Sequence, residues 1–172
     1  MLLVRTENVQ MPQNYFSRGK VRDAMTREVI TVKEDQTKQQ AARLLSEHHI
    51  SGLPVVNDDN MLTGVVTEYD VIAREGQLVR DIMTRGVISV TADTNLEEVS
   101  NILIHERIKR LFVLDQGKLI GVVSRADLVR EVATRWVCPA CGEIMHSQLP
   151  PERCSHCDAE QMATLEQITP GF

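Results

Sequence analysis

Apolar residues recur along this chain in two rhythms, and each rhythm occurs twice. Ala41, Leu44, Leu45 and His48 fall at i, i+3, i+4 and i+7, and Val99, Ile102 and Leu103 at i, i+3 and i+4, which predicts helices over 38–48 and 96–106 with one buried stripe each. Thr37 and Asn95 precede them where N-caps belong. After each helix come two runs apolar on both faces, 53–56 with 62–66 and 111–114 with 119–123, expected as hairpin strands covered on both sides. Brief β runs are expected at 29–32 and 87–90, and further helices over 68–74 and from 125 to about 136.

The periodicities repeat because the sequence does. Val-Arg-Asp-Ala-Met-Thr-Arg-Glu-Val-Ile-Thr-Val at 21–32 returns as Val-Arg-Asp-Ile-Met-Thr-Arg-Gly-Val-Ile-Ser-Val at 79–90, an offset of 58. Gly64-Val65-Val66-Thr67-Glu68-Tyr69-Asp70 returns as Gly121-Val122-Val123-Ser124-Arg125-Ala126-Asp127, an offset of 57. The missing residue falls at a turn, where Asn57-Asp58-Asp59-Asn60 is matched by the shorter Asp115-Gln116-Gly117. A unit of this size buries little alone and is expected to pack against its twin. The chain divides into an N-terminal arm (1–20), repeats at 21–76 and 77–136, and a Cys/Pro/Gly-rich unit at 137–172.

Composition narrows the function classes. At 42% hydrophobic and 25% charged, 172 residues can form a real core. Only 3% of residues are aromatic and the net charge is −5, both against nucleic-acid binding. No apolar run approaches the roughly 18 residues of a membrane span, and the start is too weakly apolar for a signal peptide, so a soluble, cytoplasmic protein is expected.

Met-Thr at the start of both repeats, Ile50-Ser51-Gly52-Leu53-Pro54-Val55-Val56, and Gly-Val-Val-[Thr/Ser]-x-x-Asp in tandem make residues 21–133 resemble a pair of cystathionine-β-synthase (CBS) domains. The resemblance implies an α+β fold of two β-α-β-β-α repeats in a pseudo-twofold pair, a homodimer, and clefts that bind AMP, ADP, ATP or S-adenosylmethionine. Thr67 with Asp70 and Ser124 with Asp127 each place a hydroxyl at a strand end and a carboxylate in the next helical turn. Alone, that is an N-cap worth about 0.5–2 kcal/mol. Doubled in such a pair it reads as a ribose clamp, the carboxylate accepting from ribose hydroxyls while Thr or Ser faces a phosphate or a second ribose edge. The resemblance also brings Thr31, Val32, Ser51, Leu53 and Pro54 of the first copy, and Ser89, Val90, Ile108 and Leu111 of the second, to an adenine slot; as bare sequence they are core residues.

The copies differ where Lys109 and Arg110 replace Ser51 and Gly52. With Arg107 they form either a phosphate-binding group or a solvated basic loop. His48 and His49 lie near a helix end, where backbone usually satisfies histidine.

The four cysteines form two Cys-x-x-Cys knuckles, Cys138/Cys141 and Cys154/Cys157, a ligand pattern for a closed tetrahedral site of four sulfurs. Cys138-Pro139-Ala140-Cys141-Gly142 resembles the knuckles of zinc ribbons and of rubredoxin, although the second knuckle continues with Asp158 rather than glycine. Zinc or iron fits such a site, and His146 and His156 are not needed as ligands. The unit carries one basic residue, Arg153, against Glu143, Glu152, Asp158, Glu160 and Glu166, a balance that repels phosphates.

No Ser/His/Asp set, Walker loop or dinucleotide fingerprint is visible, and four thiolates leave a metal no open position, so an enzyme is not expected. The expected function is a regulatory adenosyl-ligand sensor coupled through the 125–136 helix to a metal ribbon and acting on a separate protein target. An iron-binding electron-transfer protein on a nucleotide-responsive scaffold, and a nucleic-acid-associated regulator, are the alternatives.

Overall fold

A computed structural model describes Phe16, residues 19–164 and Gln167, so most of the expected N-terminal arm, and Glu166 at the acidic end, lie outside the described residues. Each repeat opens with a one-turn helix, α1 (Val21–Ala24) and α4 (Val79–Ile82). The first continues through α2 (Lys38–Glu47), β1 (Gly52–Val56), β2 (Leu62–Thr67) and α3 (Glu68–Ala73). The second continues through β3 (Ser89–Val90), α5 (Leu96–His105), β4 (Arg110–Asp115), β5 (Lys118–Ser124) and α6 (Arg125–Thr134). β6 (Arg135–Val137) and β7 (Ile144–His146) complete the described chain.

Local chemistry accounts for most of these boundaries. Thr37 caps α2 through a reciprocal box: its Oγ1 accepts from the Gln40 N–H at 3.1 Å, and its own N–H donates to Gln40 Oε1 at 2.8 Å. The same expectation fails at Asn95, whose side chain makes no cap bond to α5 and accepts instead from Lys20 Nζ at 2.8 Å. The expected strand over 29–32 reduces to one parallel bridge, Val32 to Val55. The final helix stops at Thr134 because Arg135, Trp136 and Val137 pair antiparallel with His146, Met145 and Ile144.

Packing reveals an exchange between the repeats. Val21 and Met25, from the opening of the first repeat, lie in the second repeat's core with Leu96, Val99, Leu103, Leu111 and Val123. Val79, Ile82 and Met83 lie reciprocally with Leu45, Leu53, Val55 and Val66 of the first. Backbone bonds follow the swap: Val21 N–H donates to Thr94 O at 3.0 Å, and Val79 N–H to Gln36 O at 2.8 Å. A third cluster of Val56, Phe112 and Leu119, flanked by Val29 and Val87, closes the seam. The two halves are therefore interlocked, each incomplete without the other's first segment.

The crossing points demand small residues. At Gly64 an added Cβ would lie 2.8 Å from Thr84 O and 3.1 Å from Met83 Sδ, and at Gly121 it would lie 3.0 Å from Thr26 O. Antiparallel bridges Val65–Thr84 and Thr26–Val122 press the backbones together at both places. Gly64→Ala should therefore cost about 1–3 kcal/mol by overpacking. A urea denaturation series would show it as a lower midpoint, and an unchanged midpoint would mean that the crossing is not tightly packed.

Candidate functional site

The exchange leaves a cleft of about 460 Å³ between the halves. One wall is the first repeat's Ser51, Gly52, Val65, Thr67, Glu68 and Tyr69. The other is the second repeat's opening segment, Thr84, Gly86, Val87 and Ile88, with Arg107, Ile108, Lys109, Arg110 and Phe112. Val65, Val87, Ile88, Ile108 and Phe112 make much of the lining apolar, with cationic and hydroxyl groups around it.

Of the residues that sequence singled out, Ser51, Thr67, Ile108, Lys109 and Arg110 meet here. Val32, Leu53, Val90 and Leu111 do not line the cleft: their side chains are in the cores, Leu53 and Leu111 at 0% exposure. Pro54 is buried within β1, Thr31 is half-buried and Ser89 exposed, and none of the three is on the cleft wall. Strands buried on both faces give no sequence signal to separate a cleft edge from a core.

The two acidic residues lie off the cleft wall. Asp70 Oδ2 accepts from Thr67 Oγ1 at 2.6 Å and from its N–H at 2.8 Å, while Oδ1 faces Arg74 Nε at 3.1 Å. Asp127 repeats the pattern with Ser124 at 2.6 and 2.8 Å and with Arg130 at 3.3 Å. Both carboxylates are buried helix-capping groups and neither lines the cleft. Arg74 carries the chain of contacts onward, donating to Ile82 O at 2.8 Å, Met83 O at 3.0 Å and Thr84 Oγ1 at 3.0 Å. Thr67 on one wall is thus wired through Asp70 and Arg74 to Thr84 on the other. Sequence reading missed Arg74 and Thr84 because the swap that joins them leaves no local pattern; the Met-Thr repeated at the start of each copy was the available signal.

Arg110 bridges the repeats. Its Nη1 donates to Gly52 O at 2.9 Å and its Nη2 to Ser51 Oγ at 2.8 Å. Burial pulls the pKa of this guanidinium down, with Glu68 and Asp127 pulling it up, and an arginine so placed stays cationic.

The second site is the cysteine cluster. Cys138 Sγ lies 3.5 Å from Cys157 Sγ and Cys141 Sγ 3.6 Å from Cys154 Sγ, and all four sulfurs fall within 4.8 Å of one another. A tetrahedron of sulfurs about 2.3 Å from zinc has edges of about 3.8 Å, so the donor set fits a metal ion. The departure at Asp158 is accommodated: Gly142 and Asp158 take the same left-handed turn after their knuckles, φ 76° and 61°, and aspartate tolerates that region. Their N–H groups close the turns onto Cys138 O at 2.8 Å and Cys154 O at 3.0 Å. Burial opposes ionisation of Cys138, but the N–H groups of Cys141 and Ala140 and the neighbouring thiols outweigh it and bring its pKa down to about 7. At Cys141 the Glu143 N–H favours the thiolate, yet burial and the three other thiols push it up to about 12. Four thiolates in this space need a cation to be ionised together.

The cluster is anchored to α6. Ser147 N–H donates to Thr134 O at 2.8 Å, Trp136 Nε1 donates to Ser147 O at 3.0 Å, and His146 Nδ1 faces Glu131 Oε2 at 3.4 Å. No helix among the described residues is long and apolar enough to cross a membrane.

Known proteins align with the repeats. CBS domain-containing protein YhcV of Bacillus subtilis is 32% identical over 137 residues, covering 75% of this chain and 97% of that protein. Some other curated relatives are longer, and the matched region spans 44% and 23% of two of them, the second an inosine-5′-monophosphate dehydrogenase of Methanocaldococcus jannaschii. Among solved structures, CBSX2 in complex with AMP superposes with a TM-score of 0.63 at 36% identity, covering 64% of this chain and 93% of that one. The CBS domain pair of MJ0100 in complex with 5′-methylthioadenosine and S-adenosyl-L-methionine gives 0.61 at 28%, covering 65% and 98%. The sequence model of the CBS domain matches residues 21–75 and 79–134, ending where α6 passes into β6, and the chain belongs to the CBS-domain family.

Proposed function

We propose that this protein is a regulatory sensor of an adenosine-containing ligand, AMP, ADP, ATP or S-adenosylmethionine, whose occupancy is passed to a four-cysteine metal unit of the zinc-ribbon or rubredoxin type. The observation that carries the reading is the inter-repeat cleft, apolar enough for a purine and with Thr67 wired through Asp70 and Arg74 to the opposite wall. It is supported by the AMP and S-adenosylmethionine complexes of the two related pairs. A ribose that reaches Asp70 takes the place of Arg74 on Oδ1 and loosens its hold on Ile82, Met83 and Thr84. Ligand thereby alters the contact between repeats, the differential interaction a switch requires.

The metal unit is read as structural and as the output end of the sensor, with zinc or iron held by Cys138, Cys141, Cys154 and Cys157. Homodimerisation is supported by apolar side chains at equivalent places on the last helix of each repeat: Ile72 on α3 is 84% exposed and Val129 on α6 is 68% exposed. The regulated target is a separate protein, acting in the cytoplasm.

Calorimetric titration of AMP and S-adenosylmethionine into the metal-loaded chain tests the ligand reading. Asp70→Asn should weaken saturable binding about 10- to 100-fold, the worth of hydrogen bonds to a charged group. Thermal unfolding of the same variant separates this from loss of the cap, worth about 0.5–2 kcal/mol. Absence of binding by either compound would leave the repeats as a dimerisation scaffold.

A further inference from the structure

Taking the cleft as an adenosyl site, we infer that its charge selects a 5′-phosphorylated adenosine nucleotide over neutral or sulfonium-bearing adenosyl ligands, with Arg107, Lys109 and Arg110 holding the phosphate. Against these three cations the cleft lining carries one acid, Glu68. A sulfonium cation entering this field meets repulsion, and a phosphate meets attraction.

Arg110 is the fixed element of the group. Its two bonds to Gly52 O and Ser51 Oγ, at 2.9 and 2.8 Å, hold the guanidinium plane in the cleft, and a guanidinium carries five N–H donors in all. Half-burial strips away competing water, and a fork already held in place loses little freedom on meeting a phosphate. Arg107 and Lys109 are exposed beside it, free to close over the anion.

The other repeat acts as an internal control. His49, Ser51 and Gly52 stand there in place of Arg107, Lys109 and Arg110, and Glu28 in place of Gly86. The loops have the same shape, since His49 and Arg107 share the left-handed conformation at φ 51° and 54°, so the difference between them is chemical. Arg125, which replaces Glu68, donates instead to Leu103 O at 2.9 Å, at the far end of α5. The cationic side chains of the cleft are therefore concentrated in the second repeat's loop, 107–110.

Calorimetry on the metal-loaded full chain with adenosine, AMP, ATP and S-adenosylmethionine tests the inference. AMP and ATP should bind about 10- to 100-fold more tightly than adenosine or S-adenosylmethionine, and the advantage should shrink as salt is raised. In Lys109→Ser/Arg110→Gly, which installs the first repeat's residues, the ratio of AMP to adenosine affinity should fall toward one. Arg107→Ala, altering one exposed side chain, should lower the same ratio and serves if the double variant does not fold. Adenosine or S-adenosylmethionine binding as tightly as AMP, or a ratio unchanged in the variants, overturns the phosphate selection while leaving the adenosyl reading intact. Binding by none of the four defeats that reading and the selection with it.

Discussion

Chelating the metal proposed for the cysteine cluster, or replacing Cys154 by serine, should unfold residues 135–164 and leave the two repeats folded. Past Arg135, the buried apolar side chains among the described residues are Cys138 and Cys154 themselves. The remaining framework is a pair of three-residue strands and one bridge from Val137 to Ala163. An isolated two-stranded hairpin is marginal at best in water, whereas a structural zinc site contributes about 10–16 kcal/mol of binding free energy that is also folding free energy. The repeats depend on different residues, the interlocked clusters around Leu53 and Leu111. Trp136 is the chain's single tryptophan and its indole is bonded to Ser147 O, so it reports the transition directly. Chelation should red-shift its emission and abolish amide protection in the tail, while helical circular dichroism persists. Metal analysis of the untreated protein, with its absorption spectrum, distinguishes colourless zinc from coloured iron. Retention of native Trp136 emission after complete metal removal would show that the unit folds by other means.

Local pattern carried the reading of this fold a long way and then stopped at a definable point. The helix expected over 38–48 is observed as Lys38–Glu47 and that over 96–106 as Leu96–His105, because an apolar stripe at a 3.6-residue period has few alternatives. The hairpin strands were legible as paired short apolar runs joined by turn residues, and the knuckles because paired thiols at that spacing have one dominant use. What local pattern does not encode is which twin a segment packs against. Val21 and Val79 look like members of their own repeats, yet each completes the other's core, since near-identical partners offer near-identical surfaces. The same ambiguity hid the cleft: its second wall, from Thr84 to Ile88, is adjacent to Thr67 only after the swap. Asp70 shows a further limit. A hydroxyl followed three residues later by a carboxylate was legible as a capping pair, but Thr67 lines the cleft while Asp70 is paired behind it with Arg74, whose other partners, Ile82, Met83 and Thr84, belong to the second repeat.

Ligand in the cleft should tighten metal binding at the cysteine cluster by about 5- to 150-fold, the range of a 1–3 kcal/mol coupling. The structural basis is α6, whose N-terminus is capped by Asp127 and whose far end is bonded to the metal unit at Thr134 and Glu131. The chain then enters β6 without an intervening loop, three residues before Cys138. Arg110, held by Ser51 and Gly52 of the first repeat and influenced electrostatically by both Glu68 and Asp127, joins the cleft to the start of that helix. Any rearrangement that re-seats Asp127 tilts a helix of ten residues, about 15 Å long, and the tilt is delivered at Trp136 and Cys138. Linkage makes the test two-sided: whatever factor the nucleotide gains for the metal, the metal must gain for the nucleotide. Competition for the metal with a chromogenic chelator, taken to equilibrium with and without AMP, measures one side, and calorimetry on metal-loaded and metal-free chain the other. Asp127→Asn should reduce both factors together. If AMP binds saturably while metal transfer and Trp136 emission stay unchanged, cleft and cluster are thermodynamically independent, and α6 is a tether rather than a lever.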